Sequence, residues 1–355
     1  MKFLIDIGHP AHVHLFKNFA REMMKQGHSF LFTCRQKEFE IDLLEAHGLP
    51  YVSFGPKYTG LIGKIWGMLK FGWMEYRTAR RFKPDFFVSH GSIYAAHASF
   101  LMGKPHISLE DTYNFEQVRL YLPFTKYVLT ADYTHPLSHH KKNISYPGYH
   151  ETAYLHPNQF TPNPESLKAL GLSEGDPFVI LRFVSWNATH DIGHKGISME
   201  MKRKAIQEFS RYAKVFISSE SLLPEEFRQY QLKVRPQDLH HLLYYASLVW
   251  AESFTIPAEC SVLGTPSIIM HNTTSLYLKE QEEKYHLCFN FSESFEDQER
   301  AIAKGMEILS QPDCKQEWRV KREQLLRDKV DLTAYLVWFF THYPESAQGK
   351  ITFQS

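Results

Sequence analysis

A chain of 355 residues is too long for a single comfortable core and fits two domains of ordinary size. Hydrophobic residues make up 43% and charged residues 22%, a balance that excludes a disordered chain. Lys plus Arg (40) nearly cancels Asp plus Glu (39), and a net charge of +1 speaks against a nucleic-acid binder that relies on broad phosphate neutralisation.

Short apolar runs alternate with helical patterns from the start. Phe3–Ile7 reads as a strand, Val13–Lys25 as a helix with Phe16, Phe19, Ala20 and Met23 on one face, and Ser29–Thr33 as the next strand. The cycle repeats through helix Glu38–His47, strand Tyr51–Phe54, a long helical region Leu61–Phe82, strand Phe86–Ser89, helix Tyr94–Met102, and strands His106–Leu109 and Tyr127–Thr130. This alternation predicts βαβ units and a mostly parallel sheet. The rhythm breaks at Tyr146–Leu155, and the turn formers of His156–Pro164 predict a linker. Strands then resume at Phe178–Phe183, Val215–Ile217, Leu232–Val234, Leu248–Ala251, Ser267–Met270 and Cys288–Phe291. From Asp313 the pattern is helical, and Tyr335–Tyr343 reads as an amphipathic terminal helix packing across the domain junction. The expected domains are 1–155 and 156–330, followed by a terminal helix and tail, 331–355.

Cys34, Cys260, Cys288 and Cys314 lie far apart with no C-x-x-C pair, so they read as reduced, buried thiols. The chain runs from Met1 straight into a strand pattern, without the apolar stretch and cleavage site of a signal peptide. Lys64 and Lys70 interrupt the best apolar run before it reaches spanning length. The expected compartment is the cytoplasm.

In open parallel sheets, ligands bind beyond the carboxyl ends of the strands. The first such loop is Gly8-His9-Pro10-Ala11-His12-Val13-His14: Gly8 permits a tight turn, and His9 or His12 suits a base near neutral pH. Ordinary surface histidines are the plain alternative in a chain with 20 of them. No acid adjoins these histidines and Gly193 disfavours a helical face across His190–His194, so no metal site is expected. Neither G-x-G-x-x-G nor a Walker P-loop occurs, and phosphate has to be held another way.

Ala251–Cys260 follows an apolar run and opens a helix, with Pro257 suited to its first position. Free N–H groups there form an anion site, Ser253 and Thr255 add hydroxyls, and Glu259 can accept from ribose hydroxyls; plain helix capping explains the same residues. Arg182, followed by Ser185, Trp186 and Asn187, ends a strand where it can clamp a diphosphate or form a structural ion pair. Glu110 and Asp111, within Ser108–Thr112, can serve as base or substrate anchor, with capping by Asp111 as the alternative. Leu61–Tyr76 carries Ile62, Ile65, Trp66, Met68, Leu69, Phe71, Trp73 and Met74 with lysines interleaved, which fits a core-facing helix or a peripheral contact with a membrane or lipid acceptor.

Together these motifs resemble a bacterial and archaeal family of chains of this length, catalogued as a domain of unknown function. The resemblance spans nearly the whole chain. It rests on Ile5–Ile7 leading to His12-Val13, Phe82–Asp85, Glu151–Leu155 with Phe160–Pro162, Val179–Arg182 with Ala188, and Glu259–Pro266. That family is similar to the glycosyltransferase-B superfamily, which includes the peptidoglycan N-acetylglucosaminyltransferase and the non-hydrolysing UDP-N-acetylglucosamine 2-epimerases. The implied fold is α/β, with two Rossmann-like domains facing a cleft and the nucleotide held mainly by the second.

Ala11-His12-Val13 matches the Gly-His-Val of the transferase's first loop, which gives His12 an acceptor-side role, and Glu259 matches the acid that holds the ribose. Relatives are glycine-rich before that glutamate, whereas Phe254 and Ile256 stand here, bulky enough to oppose a pyrophosphate. The implied activity is metal-independent transfer of a sugar from a nucleotide-sugar, UDP-linked, to a hydroxyl or lipid-linked acceptor in cell-surface polysaccharide or glycolipid synthesis. No cofactor is needed beyond that co-substrate. His12 would take the acceptor proton while Arg182, Ser253 and Thr255 offset charge on the departing diphosphate. One rival is a sugar-nucleotide epimerase using Asp111 or Glu110 for proton transfer; another is a non-catalytic sugar-nucleotide binder. The expected pocket is lined by His9–His12, Arg182–Asn187 and Ser253–Glu259.

Overall fold

The computed structural model describes residues 1–354 except 59, 134, 185–195, 220 and 313, and of 61, 62 and 64 the backbone alone. The chain folds into two units: Met1–Tyr154 with Lys329–Ser355, and Leu155–Asp328.

Unit 1 runs β1 (Lys2–Ile7), α1 (Pro10–Lys25), β2 (Ser29–Gln36), α2 (Glu40–Ala46), β3 (Tyr51–Pro56), α3 (Leu61–Phe82), β4 (Phe86–His90), α4 (Ile93–Met102), β5 (His106–Glu110), α5 (Phe115–Tyr121), β6 (Tyr127–Ala131) and β7 (Asn143–Tyr146). A single turn, α6 (Thr152–Leu155), follows. The strands form one seven-stranded sheet in the order β3-β2-β1-β4-β5-β6-β7, every pair parallel. Helix α1 begins at Pro10, three residues before its apolar pattern, because proline at the first helical position forfeits only an N–H that has no partner there. Its buried face includes Phe16, Phe19, Ala20 and Met23, as the spacing predicts. Phe3 is fully buried and its ring centroid lies 4.7 Å from Phe30, 5.5 Å from Phe19 and 5.5 Å from Phe86.

Unit 2 runs β8 (Phe178–Phe183), α7 (Met199–Phe209), β9 (Lys214–Ser219), α8 (Leu239–Tyr245), β10 (Leu248–Ala251), α9 (Thr255–Leu263), β11 (Ser267–Met270), α10 (Leu276–Glu283), β12 (Cys288–Phe291), α11 (Phe295–Ser310) and α12 (Cys314–Asp328). Its five strands are parallel in the order β12-β11-β10-β8-β9. The expected strand Leu232–Val234 does not form. Gln231 makes one isolated bridge to Ile217, and Pro236, which has no N–H, then opens a 3₁₀ turn.

The last helix, α13 (Leu332–Thr341), belongs to unit 1 rather than forming a separate piece. Phe340 sets its ring centroid 5.1 Å from Phe3 and 5.2 Å from Phe19, and Thr333 donates to the Ala153 carbonyl at 2.8 Å. All four cysteines are buried free thiols. Among the described residues no helix is long and apolar enough to cross a membrane.

Candidate functional site

Strand order locates the crevices. From β1 the chain moves to β2 and β3 on one side, then to β4 on the other, so the loops after β1 and β4 part at the carboxyl edge. In unit 2 the same reversal occurs between β8 and β10. The loops that open after β1 and after β10 therefore start at the switch points of their own sheets, while Glu110 and Asp111 stand at the end of β5, beside β4.

In the first loop, His9 caps α1: its Nδ1 accepts from the Ala11 N–H at 3.1 Å. The proton of the neutral ring then sits on Nε2, 3.8 Å from Glu38. His9, expected as a candidate base, thus has its Nδ1 engaged in capping the helix. His12 accepts from the Gly8 N–H through Nδ1 at 3.2 Å, so its neutral ring carries the proton on Nε2. Burial, then the neighbouring His90, holds its pKa well below the ordinary histidine value. His12 thus presents an N–H that donates a hydrogen bond, in place of a ring nitrogen free to take a proton. Its ring stacks on His90 with centroids 4.6 Å apart.

His90 ends β4, and its Nε2 meets Asp111 Oδ1 at 2.8 Å. The other oxygen, Oδ2, meets His150 Nδ1 at 3.1 Å. Burial pulls the His90 pKa down, but the charge and hydrogen bond of Asp111 outweigh it and lift it to about 9. Burial likewise opposes ionisation of Asp111, and His150 with His90 overcomes this, leaving its pKa well below the usual carboxylate value. At neutral pH the pair is imidazolium and carboxylate. Asp111 does not cap a helix; Asn114 caps α5.

Glu110, one residue earlier, meets a different environment. Its Oε1 accepts from the Tyr121 hydroxyl at 2.6 Å, and burial pushes its pKa up to about 7 against the opposing pull of His90 and Tyr121. Glu110 lines a small cavity with His90, Gly91, Thr112, Asn114 and Gln117. Gly91 has φ +59°, and a Cβ there would stand 2.7 Å from Glu110 Oε1, so glycine alone admits the carboxyl. Two adjacent carboxyls thus acquire opposite protonation tendencies, the arrangement that separates acid from base roles.

His90, Asp111 and His150 are the one group among the described residues whose ligand atoms, within 4.8 Å of one another, could hold a metal ion. Coordination there would require Asp111 to give up its present hydrogen bonds to both imidazoles. Sequence reasoning missed His90, although its place at a strand end was available, and missed His150, which carries no local signal.

In unit 2, Arg182 near the end of β8 donates from Nη1 to Ser218 Oγ at 2.9 Å. Ser185, Asn187 and the His190–His194 motif lie outside the described residues. The flanks of that segment converge on Glu252, which immediately follows β10 and was also missed. Its carboxylate accepts from the Val184 N–H at 3.0 Å and the Ile197 N–H at 2.6 Å, and pairs with Lys202 at 3.3 Å.

Helix α9 starts at Thr255 with Phe254 as its cap residue and no side-chain capping bond. Pro257 is its third residue rather than its first, and Glu259 its fifth, beyond the reach of a capping box. Capping therefore does not account for these residues. Ser253 Oγ is buried without a hydrogen-bond partner among the described residues. Ile256 is buried and Phe254 sets its ring 4.5 Å from that of His271, so the packing of unit 2 takes up both bulky groups. Glu259 is buried, with His240 Nε2 3.0 Å from its Oε1.

No curated protein sequence matches the chain. Solved structures match its fold. A Listeria monocytogenes protein assigned as a UDP-N-acetylglucosamine 2-epimerase has a TM-score of 0.69 at 14% identity, covering 100% of this chain and 98% of that one. The UDP-N-acetylglucosamine 2-epimerase of Neisseria meningitidis, bound to its nucleotide-sugar, has a TM-score of 0.61 at 13% identity over 92% of this chain and 100% of that one. The glycosyltransferase SsfS6 of a Streptomyces species reaches 0.58 at 13% identity, over 96% and 100%. Two parallel α/β sheets with these neighbours make the fold glycosyltransferase-B type. A family model matches residues 1–287, and the chain belongs to that family, Protein of unknown function (DUF354).

Proposed function

We propose that the chain is a glycosyltransferase moving a sugar from a nucleotide-sugar, UDP-linked, to a hydroxyl acceptor. The observation that supports this most is Glu110: a carboxyl with a pKa raised to about 7, lining a cavity at a switch-point edge, is matched to general-base work at neutral pH. In the transfer step Glu110 takes the acceptor O–H proton as the oxygen bonds to the anomeric carbon. The bond from that carbon to the diphosphate breaks, and its electron pair leaves with the nucleotide. His12 Nε2–H acts as a donor to acceptor oxygens, and the His90 imidazolium, whose Nε2–H is held by Asp111, adds positive charge beside them. Donor binding falls to unit 2. The start of α9, Ser253 Oγ, Thr255 and Arg182 supply hydrogen bonds and positive potential for the diphosphate, and Glu259 accepts from the ribose. The setting would be cell-surface polysaccharide or glycolipid synthesis at the cytoplasmic side of the membrane.

A second reading, sugar-nucleotide epimerisation, is favoured by one feature: Glu110 and the His90–Asp111 pair place a proton acceptor beside a proton donor. Incubation with UDP-N-acetylglucosamine separates the readings. Transfer releases UDP that depends on an added hydroxyl acceptor, epimerisation yields an epimeric sugar with the nucleotide attached, and a binding protein leaves the compound intact. Glu110→Gln should reduce turnover ~10²–10⁴-fold and abolish the pH dependence near 7. A variant with wild-type turnover and pH profile would remove Glu110 from the mechanism.

A further inference from the structure

Helix α3 has two faces of different character. Gly67, Phe71, Glu75 and Ala79, one every four residues, are buried. The opposite face exposes Ile65 (51%), Trp66 (58%), Leu69 (63%) and Trp73 (59%), and continues into exposed Arg77, Arg80 and Arg81. Lys70 is exposed among the apolar group. Among the described residues no acid forms an ion pair with Arg77, Arg80 or Arg81; residues 46–74 contain neither Asp nor Glu, and the one acid of the helix, Glu75, is fully buried.

The helix also overshoots its neighbour. Phe71 contacts the Tyr94 ring near the start of α4, and Ala79 and Phe82 share a core cluster with Ala98 and Met102 near its end. Residues 71–82 therefore run beside α4, which opens just after the carboxyl end of β4. The preceding turns of α3 project past that edge by about 15 Å at about 1.5 Å per residue. This is the edge that carries His90 and Glu110.

We infer that the exposed face of α3 docks the protein on an anionic phospholipid bilayer. Two tryptophans with aliphatic neighbours suit the headgroup–acyl boundary, and the arginines beyond them suit anionic headgroups. A second copy of the chain fits less well, since a symmetric contact would set the arginines and lysine against themselves without an acid to balance them. Docking does not depend on the proposed activity. With that activity it selects a lipid-linked acceptor, because the anchoring surface and the candidate base share one edge of unit 1.

The test is co-sedimentation of the full chain with vesicles of phosphatidylcholine alone or mixed with phosphatidylglycerol. Binding is expected to the anionic vesicles only, and to weaken as salt rises toward ~0.5 M, where surface charge is screened. Trp66→Ser/Trp73→Ser should reduce the bound fraction about tenfold or more without changing the thermal midpoint. Arg80→Gln/Arg81→Gln should reduce it while leaving the protein equally stable. Absence of wild-type binding to anionic vesicles overturns the inference. So does undiminished binding of the tryptophan variant, or a wild-type dimer that this variant dissociates in the absence of vesicle binding.

Discussion

Two titrations in unit 1 should leave separable marks on stability. His90 is carried from an ordinary 6.5 to about 9, so folding favours its proton. Its contribution is complete below pH 6.5 and is lost as the pH rises through about 9. A displacement of this size, at about 1.36 kcal/mol per pKa unit, is worth about 3 kcal/mol. Glu110 rises from 4.5 to about 7, so folding favours its protonated form. That contribution is complete below pH 4.5 and is lost by about pH 7, again about 3 kcal/mol. Asp111 acts oppositely: its lowered pKa stabilises the fold above the ordinary carboxylate range and stops doing so only in stronger acid. Stability should therefore decline in two steps between pH 4.5 and 9. Calorimetric unfolding across that range checks it. Glu110→Gln keeps an acceptor for Tyr121 and should erase the acidic step alone. Glu110→Gln/His90→Gln should erase both, since the Gln amide nitrogen stands near the position of the imidazole Nε2 that meets Asp111 but does not titrate. A wild-type protein of constant stability over this range, or a double variant that keeps the decline, would refute the charge assignments.

Two further substitutions probe unit 2. Gly305 on α11 faces a tight wall: a Cβ there would stand 2.6 Å from the Phe209 ring and 3.1 Å from Leu248. Gly305→Ala should cost about 1–3 kcal/mol of unfolding free energy through overpacking, and a variant as stable as wild type would mean that the ring has room to move. Glu259→Gln keeps the shape of the side chain but weakens its acceptor strength. UDP affinity should fall by roughly 1.5–3 kcal/mol in calorimetry, and unchanged affinity would confine the residue to its bond with His240.

Much of the architecture is legible in the sequence because strand and helix periods alternate cleanly. Phe178–Phe183, Leu248–Ala251, Ser267–Met270, Cys288–Phe291 and Leu61–Phe82 appear with the boundaries that the sequence predicts. Short elements are harder. Helix α5 has seven residues and β7 four, too few for a period to declare itself, while Leu232–Val234 has strand-like composition but only one bridge beside it. The site divides along the same line. Glu110 and Asp111 stand out by their place at a strand end, but their opposite protonation does not, because it depends on His90, His150 and Tyr121 arriving from distant segments. Glu252 escapes notice because an acid after a strand looks solvent-facing until two backbone N–H groups are seen converging on it. The stripe on α3 is visible as sequence, yet only packing against α4 divides it into Phe71, which is buried, and Trp66 and Trp73, which are not.

That this fold handles a nucleotide-sugar is the central claim, and titration calorimetry of the unmodified full chain with UDP and with UDP-N-acetylglucosamine tests it most directly. Saturable binding of both is expected at one site per chain, weakened by Glu259→Gln and unaffected by Glu110→Gln, because donor binding is assigned to unit 2 and the base to unit 1. Absence of heat with UDP, with UDP-N-acetylglucosamine and with other nucleoside diphosphates would contradict the claim, leaving Ser253 and the start of α9 without a ligand.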